Sequence, residues 1–531
     1  MTDGRAESDA CRPAAAGVFR LGWGVVLFAL LLQFGSRYLP SPSAVWVADD
    51  WANAARSSFH ASTPAAAKIG LQDPNRPLSM LAVEVGYRLF GERAWIWTLV
   101  SLAANSLLLL ALMKMALELT GRRGMAFAAG AVFALLPNLT ETYHWSTQVL
   151  NEVACGLVPY ALSGWLGVAY FRRGGAWRLA LSALAYGAGL FSYEAGILLP
   201  GAFLALIAWR RAPLKGLLRL APFGAVCLFY AAWRTTNAFG LNHVWHYPPH
   251  MQAGVTLWGV GWNLREIIRW WAGDHLFGAM RSGLRSFAAL SPWTFRLLAV
   301  GDVLAVLGVG WGIRRLAAAD GKKTAPEPFA EMQVAGFGLA WAAAAAAICV
   351  ASYTAPRLNV LPAIGISLLA AWTLGRLPFR AWAPLLLVPA VLAMASNQGT
   401  AESFRQAGEW NQAIYAQLRQ TAETWSGKKI LLIDTTSWRR SLPAPTAVGL
   451  DAYARNGNAQ LARGFTFIGM AQLAAGQKNA GIRVLHDAEC GVRIEGDRLI
   501  WHNRFDPSRG HTNSMDDVFV VSGPESGSPV Q

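Results

Sequence analysis

The sequence predicts an all-α polytopic membrane protein of about 11 transmembrane helices, followed by a small C-terminal extracytoplasmic α/β domain. Three observations predict this class. Of 531 residues, 54% are hydrophobic and only 15% are charged, where a soluble chain carries about 25% charged residues. The 46 Lys+Arg outnumber the 31 Asp+Glu, and they fall as short punctuation between long apolar runs. Residues 397–531 break that pattern: they hold 14 Lys+Arg and 13 Asp+Glu, the balance of an ordinary soluble domain. A soluble enzyme, a disordered chain and a disulfide scaffold are excluded by this composition.

A hydrocarbon core of about 30 Å takes about 20 apolar residues per helix. Such stretches lie at 17–36, 94–116, 125–137, 148–171, 178–191, 195–209, 218–236, 287–313, 333–352, 357–375 and 382–396. Residues 1–16 are read as a cytoplasmic N-terminus. The pairs Arg122-Arg123, Arg172-Arg173, Arg210-Arg211, Arg314-Arg315 and Lys322-Lys323 then all fall inside, and the tail emerges outside. The same punctuation accounts for the net charge of +15, so no nucleic-acid partner is expected. No small-residue cleavage site follows Gln33-Phe34-Gly35-Ser36, so the first stretch reads as an uncleaved anchor. Of the 5 cysteines, only Cys490 lies in the tail, which therefore holds together by its core alone.

In the tail, 398–424 has helical spacing, Lys428–Asp434 reads as a buried strand and Ala452–Ala462 as a helix. Gly491–His502 alternates as a hairpin around Glu495-Gly496-Asp497, and Asp517–Val521 gives another strand.

The outward segments carry the chemistry. The largest are the loops 37–93 and 237–286. Carboxylates contribute little to topology, yet Asp49, Asp50, Asp73, Glu141 and Glu194 all sit at outer edges. The first loop reads Ala48-Asp49-Asp50-Trp51 and then Asp73-Pro74-Asn75-Arg76-Pro77-Leu78, before an amphipathic stretch from Leu78 to Phe90. Adjacent carboxylates repel, which favours a proton on one of them and suits Asp49 and Asp50 to general-base work; an ordinary solvated loop is the bland alternative. Further outer-edge clusters are Glu141-Thr142-Tyr143-His144-Trp145, Ser192-Tyr193-Glu194 and Ser352-Tyr353-Thr354-Ala355-Pro356-Arg357. A single arginine at a span end commonly snorkels to headgroups, but Arg76 and Arg357 together could grip a phosphate. His243, His246 and His250 have no helix to fix a metal geometry, so no metal ligands are assigned and a divalent cation is left open.

The order of these cues resembles the GT-C class of membrane glycosyltransferases. Asp49-Asp50 stands in the first outer loop, Arg76-Pro77-Leu78 opens the next helix, and Leu136-Pro137 precedes a polar turn. Phe191-Ser192-Tyr193-Glu194 leads to Leu199-Pro200, and Arg357 precedes Leu361-Pro362-Ala363-Ile364-Gly365. The likeness spans 17–396 and is nearest to bacterial relatives of the protein O-mannosyltransferases, although 397–531 shows no 34-residue repeat. The resemblance implies a bacterial inner-membrane enzyme that takes sugar from a polyprenyl-phosphate donor. The acceptor would be a cell-envelope glycan, lipid or protein hydroxyl on the outer face. It places the base on Asp49 with Asp50 as partner, and donor phosphate binding on Arg76 and Arg357. His144, Glu194, Tyr193 and Trp51 would line the site. Two rivals come from other classes: a transporter or flippase of a lipid-linked glycan, which calls for charges along a mid-span pathway, and a non-catalytic envelope assembly protein.

Overall fold

The computed structural model describes residues 22–40, 46, 49–59, 62–71, 73, 76–137, 139, 141–208, 213–240, 257–320, 329–351, 356–425, 427–434, 464–476, 483–486, 490–503 and 506–522. The main helices are α1 (Trp23–Tyr38), α2 (Asp49–Ser58), α3 (Thr63–Leu71), α4 (Pro77–Phe90), α5 (Ala94–Thr120) and α6 (Arg123–Leu135). They continue as α7 (Ser146–Arg173), α8 (Ala176–Leu190) and the partly 3-10 segment α9 (Glu194–Ile207). Then come α10 (Ala221–Gly240), α11 (Leu257–Ala272), α12 (Asp274–Ala288), α13 (Pro292–Asp320), α14 (Glu331–Ala351), α15 (Val360–Leu374), α16 (Phe379–Gln420) and α17 (Gly464–Ala475).

Every apolar stretch named from the sequence carries one of these helical elements. Among the described residues, α5, α7, α13 and α14 are long and apolar enough to cross a membrane, and α1, α6, α9 and α15 are shorter apolar helices. Leu107 of α5, Leu228 of α10, Leu304 of α13 and Leu385 of α16 are exposed, which suits a lipid solvent and not water. The main core packs α5, α6 and α7 around Leu108, Leu112, Phe133 and Tyr160. At one end of this bundle the connections are pinned by ions: Glu118 bonds both Arg172 and Arg173, and Arg376 pairs with Glu331. The Gly124 N–H donates to Asp320 Oδ2 at 2.9 Å in the same region.

A cap of loop helices and strands covers the other end. Strand β1 (Ile430–Asp434) lies between β2 (Arg483–His486) and β6 (Val518–Ser522), parallel to both. Its unbroken run Ile430-Leu431-Leu432-Ile433 is buried on both faces, as a central parallel strand must be. The predicted hairpin forms as β3 (Cys490–Glu495) and β4 (Arg498–Asn503), turning at Gly496 with φ 61°, and β5 (Asp506–Ser514) adds to it. The predicted helix Ala452–Ala462 and the histidines 243, 246 and 250 lie outside the described residues. Helix α16 has 42 residues, a length of about 63 Å, and runs without a break through position 397 from the bundle into the cap.

Candidate active site

The candidate groups gather where the cap meets the bundle, and helix α7 organises them. Its first turn has amide protons with no partner inside the helix. Asp50, fully buried on α2, supplies one: its Oδ1 accepts from the Thr147 N–H at 2.8 Å and from the Thr147 hydroxyl. A carboxylate there also meets the positive end of the α7 dipole. Asp49 opens α2, and its side chain lies outside the described residues. Trp51 turns away into the cap core. It is fully buried against Trp46, with ring centroids 5.1 Å apart, and against Tyr415 at 4.8 Å, and its indole N–H donates to Trp46 O at 3.2 Å. Burial, with the carboxylate of Glu92 adding to it, pushes the Tyr415 phenol up to about 12.

His144 sits just before α7, fully buried, its ring stacked on Phe404 at 5.7 Å and tilted against Tyr38 at 6.0 Å. The turn Glu141–His144 lies against the turn Pro356–Asn359. That second turn carries Arg357, whose side chain lies outside the described residues. The fold therefore brings the segments bearing Asp49, Asp50, His144 and Arg357 to one region.

A second group forms further along α7. Residues Val149–Leu157 are wound as a π-helix directly ahead of Pro159, which has no N–H to close an ordinary turn. Within this stretch Gly156 leaves room for Tyr193, since a Cβ there would lie 2.8 Å from Tyr193 Cβ. The Tyr193 ring in turn lies under the Arg76 guanidinium, 4.8 Å from its centroid. Arg76 makes a bidentate pair with Glu194, donating from Nε at 2.8 Å and Nη2 at 3.0 Å. Its backbone N–H donates to Asp73 Oδ1 at 2.8 Å, and the Leu78 N–H to Phe191 O at 3.3 Å, so the start of α4 is docked on the turn 191–194. Arg234 of α10 is within electrostatic reach of Glu194 and donates to the Tyr230 hydroxyl at 2.9 Å. Arg234 thus lies in the electrostatic surroundings of the Arg76–Glu194 pair.

Thr147 and Gly156 are nine residues apart on one helix, which separates their two clusters by about 13 Å along its axis. Helix α8 ends at the deeper cluster after 15 residues. It is about 22 Å long against a hydrocarbon core of about 30 Å. The turn holding Tyr193 and Glu194 stands at its C-terminal end.

Several polar residues of this region were not anticipated. Arg37 is fully buried beside Tyr143, with its guanidinium 4.9 Å from the ring centroid; it donates to Asn397 Oδ1 at 2.8 Å and to Leu136 O. Gln398 donates to Asp302 Oδ1 at 2.8 Å and to Gly35 O at 2.9 Å, and Gln33 to the Tyr143 hydroxyl at 3.1 Å. These bonds tie α1, α6, α13 and α16 together under the cap. Among the described residues no three His, Cys, Asp or Glu side chains gather as a metal site would require. A recess of about 710 Å³ opens between α6, α13 and α16, walled by Ala128, Leu135, Val306, Leu387 and Ala390 with Arg314 at its rim. None of the sequence-predicted site residues lines it.

No protein-family model matches this chain, and no curated protein matches it. Among solved structures it is similar to ArnT from Cupriavidus metallidurans bound to undecaprenyl phosphate, at 16% identity and a TM-score of 0.39, over 88% of this chain and 78% of that one. The apo state of the same ArnT gives 16% identity and a TM-score of 0.39 over 86% of this chain and 77% of that one.

Proposed function

We propose that this chain is a GT-C-type membrane glycosyltransferase that moves a sugar from a polyprenyl-phosphate donor to a cell-envelope hydroxyl on the outer face of the inner membrane. The observation that carries the reading is the layout along α7: an acid-bearing helix anchored at its first turn, and further along it the Arg76–Glu194 pair with Arg234 in its electrostatic surroundings. Sugar transfer makes two demands at once. The acceptor oxygen must lose a proton as it attacks C1, and the phosphate oxygen must accept the electron pair of the breaking C1–O bond. Asp49 takes the proton in this reading. Asp50 is the anchor, because its Oδ1 accepts from the N–H and the hydroxyl of Thr147 of α7.

Arg76 and Arg234 receive the phosphate. Glu194 holds Arg76 in place before the donor arrives and gives way to phosphate oxygens as they enter, a bidentate exchange that the guanidinium fork favours. In this reading a lipid-borne phosphate reaches the arginines from the bilayer side. A transporter reading asks for charges along a path through the bundle. Asp302 instead bonds Gln398 beside the Arg37 web, among interhelical ties.

The test is sugar transfer from a polyprenyl-phosphate sugar by purified protein in lipid, comparing wild type with Asp49→Asn and Asp50→Asn. Transfer by wild type and its loss in Asp49→Asn support the reading; full transfer by both variants ends it. Mass spectrometry of envelope glycans with and without the gene then names the acceptor.

A further inference from the structure

The C-terminal domain does not hang free beside the bundle. Its helix α17 lies directly on α2, the short helix that begins Asp49-Asp50-Trp51. The approach is made by backbone: a Cβ on Gly469 would stand 2.6 Å from Trp51 C and O and 2.7 Å from Ala52 N. Main-chain atoms cannot swing aside as the tip of a side chain does, so only glycine lets the two helices lie this close. On its other side α2 is tied to α7 through Asp50 and Thr147. Trp51 fills the space between, in one core with Phe467 and Met470 of α17, Ile414 and Tyr415 of α16, and Leu431 of β1. The loop helix is held by the bundle, by the tail and by α4, where Ser57 and Arg56 meet the buried Glu84.

We infer that α17 is a backstop that sets the position of the acid-bearing helix, with Gly469 as a positioning residue, so that the C-terminal domain is a working part of the transfer site. This rests on the proposed reading that α2 carries the base. Pushing α2 away from α17 moves its first turn relative to α7, while its last turn stays tied to Glu84 of α4 through Ser57 and Arg56. The expected signature is a fall in kcat with an unchanged KM for the donor.

The experiment uses the full chain in lipid nanodiscs, with a synthetic polyprenyl-phosphate sugar and hydrogen exchange of residues 49–58 as two separate readouts. Gly469→Ala is expected to lower kcat about a hundred-fold, the scale of an ångström misplacement, to leave donor KM within about two-fold, and to speed exchange in 49–58. Phe467→Leu removes volume from the same core and is expected to move both readouts the same way. Gly427→Ala is the control in the same domain, since a Cβ there meets nothing within 4 Å. Wild-type kcat and wild-type exchange in both Gly469→Ala and Phe467→Leu overturn the inference, as does an equal change in Gly427→Ala. If the wild type transfers no sugar, the functional reading fails alone, and the exchange of 49–58 still decides whether α17 holds α2.

Discussion

The two clusters on α7 are built on opposite principles. Asp50 is wholly buried, and its Oδ1 accepts from the N–H and the hydroxyl of one threonine. Arg76 and Glu194 keep 21% and 29% of their side chains exposed and are joined by a fork that an incoming anion can enter. A buried charge with its partners in place is costly to disturb, whereas a half-wet pair gives up little when a better anion arrives. On the proposed reading, rigidity serves the end that holds the base in line and exchangeability the end that takes up and releases a phosphate.

Four substitutions break or sharpen that contrast. Asp49→Asn removes the proposed base and is expected to lower kcat about 10²- to 10⁴-fold with little change in melting temperature; activity within a few-fold of wild type, measured by transfer in vitro, removes Asp49 from the chemistry. Arg234→Gln takes away a charged donor, expected to cost about 1.5–3 kcal/mol of donor binding. That is roughly a ten- to hundred-fold rise in donor KM, and a change confined to kcat would place Arg234 elsewhere in the cycle. Glu194→Gln removes the carboxylate paired with Arg76, and the sign is opposite. Inorganic phosphate and the donor should bind about three- to ten-fold tighter, as an anion no longer competes, while thermal stability falls; weaker binding in titration calorimetry means that Glu194 contacts the sugar. Gly156→Ala is the mildest. Its methyl crowds Tyr193 Cβ, so an overpacking cost of about 1–3 kcal/mol should appear as a lower melting temperature, with donor KM shifted only because Tyr193 no longer supports Arg76.

Much of the bundle could be read from the sequence because its signal is local. An apolar run bounded by arginine pairs needs no partner to be recognised, and helices follow from it. The β1 strand and the β3–β4 hairpin were legible for the same reason, from an unbroken aliphatic run and from strict alternation around Glu495-Gly496-Asp497. Strand β5 was not, since Asp506–Ser514 reads Asp-Pro-Ser-Arg-Gly-His-Thr-Asn-Ser, without an apolar face to announce it. The site was half legible. Its segments were found as acids and arginines without a topological reason to be there, but their pairings join residues far apart in the chain. Arg76 and Glu194 are 118 positions apart, Asp50 and Thr147 97 apart, and Arg37 and Asn397 360 apart. Arg234 looked like the end of an apolar run, and only the fold sets it beside Glu194. Trp51 was expected to line the site for its nearness to the acids. A side chain one position along a helix points some 100° away, and here that direction leads into the cap core.

The brevity of α8 reaches beyond the protein. A helix shorter than the surrounding hydrocarbon obliges nearby lipids to dip, at a modest free-energy cost per ångström of mismatch. With α8 read as a span, such a dip beside the turn that carries Glu194 would bring headgroups nearer to Arg76. On the proposed reading, acyl-chain length becomes a variable of transfer: thinner bilayers should relieve the strain and thicker ones increase it, tuning how readily a lipid-borne phosphate reaches Arg76.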